Sequence, residues 1–157
     1  MDTRISRRVH AEPQTVFALA AAVEDWPRIL PHYRWVRLLS DNGAGRRTVE
    51  MAARRDVVGR LGFPLHWVAV ETALSAERRI DFTHVRGVTR GMRVTWTIAQ
   101  DSATSTVVVQ IRHVFNPAWP VPDSIVNHIV GEYFVNGVAR RTLRLIGELA
   151  ESRTKDA

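Results

Sequence analysis

Two imidazoles occupy matching places in strand-like stretches of this chain. His84 continues the alternation begun by Ile80 and Phe82, and His113 continues that of Val107, Val109 and Ile111, ahead of Phe115. Spacing by two puts these side chains on one face of a strand. An imidazole gains and loses its proton near neutral pH, so a pair on an apolar face can accept and donate protons in a condensation or a dehydration. The same pair also fits half-buried histidines bonded to backbone or water, since buried polar groups need partners. With hairpins in the simplest register, His84, Met92 and His113 fall in one row across three neighbouring strands. Tyr133 is the third candidate for moving a proton. Glu71 reads in two ways: as a carboxyl held partly neutral by desolvation, hence an acid or base, or as the partner of an arginine such as Arg54 or Arg55. The pairing is the favoured reading.

Aromatic rings are spread over most of the chain. Trp26, Tyr33, Trp67, Trp96, Phe115, Trp119 and Phe134 are expected to line a pocket for a flat or unsaturated guest through offset stacking. Met51, Met92 and Val130 complete the apolar contacts. Trp26 and Trp119 lie in proline-flanked segments and are expected at the pocket mouth. Burying ~300 Å² of apolar ligand surface at ~25 cal/mol per Å² gives roughly 7 kcal/mol, against an association cost of ~4 kcal/mol or more. Apolar contact alone therefore binds weakly. Polar anchors are needed, and Tyr33, Glu71, His84, His113, Asn127 and Tyr133 are the candidates.

These residues must be held by a scaffold of modest size. The 157 residues suit one domain, read as 1–151 with a tail at 152–157. The absence of cysteine excludes a disulfide framework, a thiolate nucleophile and Cys-ligated zinc. No close histidine pair suggests another metal site, and no glycine-rich phosphate loop suggests a nucleotide, so no cofactor is expected. The formal charge of +6 comes from basic residues that are all arginine except Lys155. They are scattered in doublets rather than gathered in a stripe, which argues against nucleic acid as a partner. No apolar run approaches membrane-spanning length and the N-terminus has no apolar leader core, so a cytoplasmic protein is expected.

Strands are predicted at 3–10, 33–40, 48–55, 65–74, 79–85, 92–98 and 105–115, joined by turns of which Asp41-Asn42-Gly43-Ala44-Gly45 is the strongest. Two short helices fall between the first two strands, the first opened by Glu12-Pro13-Gln14 and the second following Trp26-Pro27. A long amphipathic helix closes the chain from Pro122 to Glu151, with Val126, Val130, Phe134, Val138, Leu145 and Leu149 as its stripe. Gly131 and Gly137 within it either mark a tolerated kink or leave room beside the helix. Short turns between consecutive strands imply an antiparallel sheet. The class is α+β: a curled antiparallel sheet of six to seven strands with a long helix across its concave face and a ligand gap between them.

This element order, with Val23-Glu24-Asp25-Trp26-Pro27 and the following Tyr33, resembles the helix-grip superfamily, which includes the START-related lipid-binding domains and the polyketide cyclases and dehydrases. The likeness covers about residues 2 to 150 and includes the Trp67 and Trp96 strands. Within the superfamily the chain looks most like the single-domain aromatase/cyclases of aromatic polyketide, and hence antibiotic, biosynthesis. The resemblance implies a hydrophobic polyketide, lipid or quinone as ligand, aldol ring closure with loss of water as the reaction, and an acyl carrier protein as a possible partner. A carrier without chemistry is the alternative. In that group an arginine follows the tryptophan strand. The matching stretch here reads Trp67-Val68-Ala69-Val70-Glu71-Thr72, so the matching position is Glu71.

Overall fold

Strict alternation between buried and less buried residues makes β7 (Val107–Phe115) the wall of the fold, with Val107, Val109, Ile111, His113 and Phe115 inward. The computed structural model describes residues 1–56, 62–117, 120 and 122–157; the side chains at 55, 56, 62, 63, 126, 127, 129, 132 and 133 stand outside that description. β1 (Asp2–Val9) leads into α1 (Pro13–Ala21), a 3₁₀ turn (Val23–Asp25) and α2 (Trp26–Ile29). β2 (Tyr33–Asp41), β3 (Arg46–Asp56), β4 (Gly62–Leu74), β5 (Arg79–Gly87) and β6 (Met92–Gln100) precede β7. All pair antiparallel, in the order β1-β7-β6-β5-β4-β3-β2. This is the helix-grip arrangement.

The last helix begins at Asp123, just after Pro122, as α3 (Asp123–Val126). It continues as a π-helical stretch (Asn127–Ala139) and ends as α4 (Arg140–Lys155). It therefore runs past Glu151, and most of the predicted tail is its final turn. The predicted stripe holds at Val130, Phe134 and Val138 but then departs from it. Burial continues by steps of four through Thr142, Ile146 and Ala150, whereas Leu145 and Leu149 are only partly buried. A polar residue hides the true stripe at Thr142. Its hydroxyl satisfies itself by donating to the Val138 carbonyl (2.9 Å).

The helix crosses the sheet obliquely. α4 rests on β1 and α1, and the π-helical stretch reaches β3. The approach to β1 is close: a Cβ on Gly147 would lie 2.8 Å from Arg7 Nε and 3.2 Å from a Val9 methyl, so the Arg7 side chain would have to move aside. Gly131 has open space beside it instead, with nothing within 4 Å of a Cβ there. Among the described residues no helix is long and apolar enough to cross a membrane.

Glu71 helps fasten the first helices to the sheet. It is fully buried on β4, directly opposite Arg47 on β3. Both Arg47 Nη2 (2.7 Å) and Nε (3.1 Å) donate to its Oε2. The same guanidinium donates to Glu24 (2.8 Å) and to the Ala21 carbonyl (2.8 Å). The pairing reading thus holds, but the partner is Arg47 and not Arg54 or Arg55. Those two lie toward the far end of β3, opposite Pro64 and Phe63. Burial pushes the Glu71 carboxyl up to about 7, against the pull of Arg47.

This ion pair has a pH signature. Because the folded value lies above the unfolded one of 4.5, native protein binds the extra proton between about pH 4.5 and 7. The contribution of the Glu71 carboxyl, neutral at low pH, is therefore complete there and declines as pH rises through that window and the group ionises. Glu71→Gln removes the decline, so its urea midpoint should gain on that of the wild type from pH 5 to pH 8; an unchanged difference would refute the assignment. Arg47→Met leaves a buried carboxyl without its cation. It should cost about 3–5 kcal/mol at neutral pH, and more at pH 8 than at pH 5.

Candidate functional site

The inner sheet face carries the rings that the alternation foretold. Trp26 is buried, with Nε1 donating to the Leu19 carbonyl (3.1 Å) and its ring against Tyr33, Phe82 and Trp96. It is not at a mouth, because α2 starts at this residue and turns it onto the sheet. Tyr33 stands edge-on to Trp26 (centroids 5.0 Å apart) and packs against Trp67 (6.2 Å). Trp67 and His84 are stacked, with centroids 5.8 Å apart and ring planes within 3° of parallel.

Phe134, from the π-helical stretch, enters this box edge-on. Its ring centroid is 5.1 Å from Trp67, 5.4 Å from His84 and 6.1 Å from His113, with interplanar angles of 76–79°. Edge-to-face contacts of this kind contribute about 0.5–1.5 kcal/mol each beyond area burial. Between the rings lies a cavity with about 30 Å³ unfilled. A water needs at least roughly 10–15 Å³ on this scale, so about two fit. The wide gap expected between sheet and helix is largely taken up by the protein's own side chains.

Among the residues expected at the site, Trp26, Tyr33, Met51, Trp67, His84, Trp96, His113 and Phe134 line this cavity. Met92, Phe115 and Val130 are buried in the core away from it, and Glu71 is in its ion pair. Trp119 lies outside the described residues, as do the side chains of Asn127 and Tyr133. The lining also includes Phe82, Val94, Ile111, Val138, Ala139 and Thr142. Strand parity already placed the first three beside His84, Trp96 and His113. Thr142 was legible only as the next step of four after Val138. Behind it sits His32, buried against Tyr33 (4.9 Å), with Nε2 2.8 Å from the Thr142 hydroxyl oxygen.

The two imidazoles do not share a row. His113 stands opposite Val94, which stands opposite Phe82, and Met92 stands opposite Phe115. His84 is thus displaced along the sheet from His113, and Phe134 touches both. The backbone opposite His84 is held at a bulge between Val68 and Ala69. Gly87 nearby, at φ +96°, comes so close to β4 that a Cβ would lie 2.3 Å from the His66 carbonyl oxygen. His84 Nδ1 lies 2.6 Å from the Thr89 hydroxyl in the following loop.

Burial sets the chemistry of these groups. It lowers His84 to about 3, with His113 adding its own repulsion, and lowers His113 to about 4. Both are neutral at physiological pH, so neither serves as a ready-protonated acid, contrary to the expectation of titration near neutrality. Burial also raises the Tyr33 phenol, which keeps its proton. A neutral native imidazole and a protonated unfolded one make stability fall as pH drops from 6.5 toward these values, with a slope of up to ~1.4 kcal/mol per pH unit for each histidine. Histidine ring shifts followed by NMR should show His84 and His113 unchanged from pH 8 down to pH 5. Titration of either near pH 6.5 in the folded protein would contradict this environment.

A family model described as polyketide cyclase / dehydrase and lipid transport matches residues 9–139. Among solved structures, the chain is similar to a protein of Thermus thermophilus, with TM-score 0.77 and 18% identity over 98% of this chain and 99% of that one. It is similar to the Zhui aromatase/cyclase of Streptomyces sp. R1128, with TM-score 0.71 and 19% identity over 98% and 95% of the two chains. It is also similar to the di-domain aromatase/cyclase StfQ of the steffimycin biosynthetic pathway, with TM-score 0.78 and 14% identity over 98% of this chain and 51% of that one, about half its length. No protein in the curated set matches the sequence. At such identities the structural likenesses speak for the fold, and the match over residues 9–139 speaks for the family: this chain belongs to the polyketide cyclase / dehydrase and lipid transport family.

Proposed function

We propose that the protein binds a hydrophobic, polycyclic or polyketide-like molecule between the sheet and the C-terminal helix, and acts on it as an aromatase/cyclase. The observation that carries this reading is the meeting of two buried, neutral imidazoles on one aromatic ring, Phe134, inside a box of tryptophans. The names of the Streptomyces and steffimycin-pathway proteins support it. Such a guest needs more than the about 30 Å³ left unfilled, so binding moves Phe134 and its stretch of helix outward.

In this reading the box templates a flexible chain of ketones, which brings a nucleophilic carbon next to its target. His84 or His113 takes a proton from a carbon between two carbonyls. That carbon bonds to a distant carbonyl carbon, and the imidazolium returns its proton to the new alkoxide, giving a hydroxyl. The neutral imidazole then takes a proton from a neighbouring carbon and hands it to the hydroxyl, which leaves as water as the C=C bond forms. Burial favours the neutral imidazole, so the proton is passed on rather than kept. Tyr133 is the proposed third proton carrier, and an acyl carrier protein is a fitting means of delivering a substrate too reactive to travel free.

One observation favours a second reading. The position matching the group's arginine is Glu71, fastened to Arg47 outside the cavity, so none of the described lining residues is a cation able to polarise a ketone. A carrier of lipid or quinone needs none. Incubation with a linear poly-β-keto thioester separates the two. An aromatase/cyclase turns a mixture of spontaneous products into one cyclised aromatic, and His84→Ala or His113→Ala slows this by ~10²–10⁴-fold. A product mixture indifferent to the protein leaves only the carrier.

A further inference from the structure

Among the described residues, His113 is the polar side chain of this cavity whose hydrogen-bonding capacity is wholly uncommitted. His84 has Nδ1 on Thr89, and Thr142 donates to Val138 while lying against His32. The Tyr33 phenol is engaged with Thr142. His113, fully buried and facing the cavity, has no hydrogen-bond partner among the described residues at either Nδ1 or Nε2. Native proteins seldom leave a buried donor and acceptor both unmet, so such a pair marks the place of a polar atom from outside the chain. The about 30 Å³ beside it is room for water-sized groups.

We propose that His113 marks a subsite for a neutral oxygen of the ligand, a hydroxyl or a ketone, and that the cavity rejects ligands that end in a carboxylate. This rests on the reading of the cavity as a ligand site. A neutral imidazole presents one N–H and one lone pair. A hydroxyl satisfies either, and a ketone satisfies the N–H. A carboxylate brings a full charge into the site, and none of the described lining residues is Arg or Lys to meet it. Protonating His113 to supply a cation runs against its burial, which holds it at about 4. A fatty acid is thus a poor ligand, while a phenol, a quinone or a ketone of similar apolar bulk is a good one.

Three probes of one shape test this on the intact protein at pH 7.5 by isothermal titration calorimetry: 1-methylnaphthalene, 1-naphthol and 1-naphthoate. Naphthol should bind roughly tenfold tighter than methylnaphthalene, and naphthoate at least tenfold weaker. His113→Leu should erase the advantage of naphthol over methylnaphthalene, and His113→Gln should restore part of it. Equal affinity of the wild type for naphthol and methylnaphthalene overturns the subsite, as does tight binding of naphthoate, and neither result depends on a variant folding. Binding of naphthol without methylnaphthalene keeps the subsite and removes the hydrophobic-guest reading. Failure of all three removes both.

Discussion

Exclusion of water from the inner face of one curled sheet governs the rest of this molecule. The helix from Asp123 to Lys155 seals that face, and every polar group beneath it must answer for its desolvation. Each does so differently. Glu71 draws in a guanidinium, the Thr142 hydroxyl bonds back to its own helix, and Tyr33 keeps its proton. His84 and His113 give up their charge. The same burial that makes an imidazole a poor reservoir of protons makes it a rigid, neutral donor and acceptor inside an aromatic box.

The buried acids and bases pull stability in opposite directions with pH. Glu71 binds its proton more tightly folded than unfolded, and the two histidines bind theirs less tightly. Below pH 6.5 unfolding lets the histidines take up protons, which favours it, whereas Glu71 opposes it. The slopes overlap between about pH 4.5 and 6.5 and partly cancel. The acid limb of the stability curve is then shallower than the histidines alone would make it. Glu71 is thus tolerable in the core for a reason separate from any chemistry on a ligand: its cation also holds Glu24 and the Ala21 carbonyl, so one guanidinium ties the first helices to the sheet.

How far the sequence could be read follows from what alternation can and cannot express. Met92, Val94, Trp96 and Ile98 against Arg93, Thr95 and Thr97 told which face of β6 is inward, and the structure agrees. A slip of two residues keeps every side chain on its own face, so alternation is blind to it. That is why His84 and His113 were legible as inward residues and yet stand in different rows, with Val94 opposite His113. The connection 101–106 sets that register, closed by Asp101 N on the Thr106 carbonyl (2.9 Å). The partner of Glu71 was missed because the predicted third strand starts at residue 48, whereas β3 starts at Arg46 and pairs Arg47 with Glu71. Trp26 was misplaced because proline flanks suggested a loop where α2 begins.

The π-helical stretch explains why the cavity is both formed and nearly closed. Hydrogen bonds that reach one residue further widen the turn, and such geometry is uncommon beyond a single turn. Here it spans 13 residues, with Gly131 and Gly137 inside it. From Phe134 on, the described buried residues come in adjacent pairs, Phe134 with Val135 and Val138 with Ala139, and the pairing runs on into α4 with Thr142 and Leu143. The pairs bring two side chains per turn onto the sheet, and one of them, Phe134, fills the box between Trp67, His84 and His113. Its ring meets these three edge to face, as a flat guest in the same place would. An aromatic ligand entering the box therefore trades one set of ring contacts for another of the same kind. Under the proposed subsite, the net gain comes from what a phenylalanine lacks, which is an oxygen for His113.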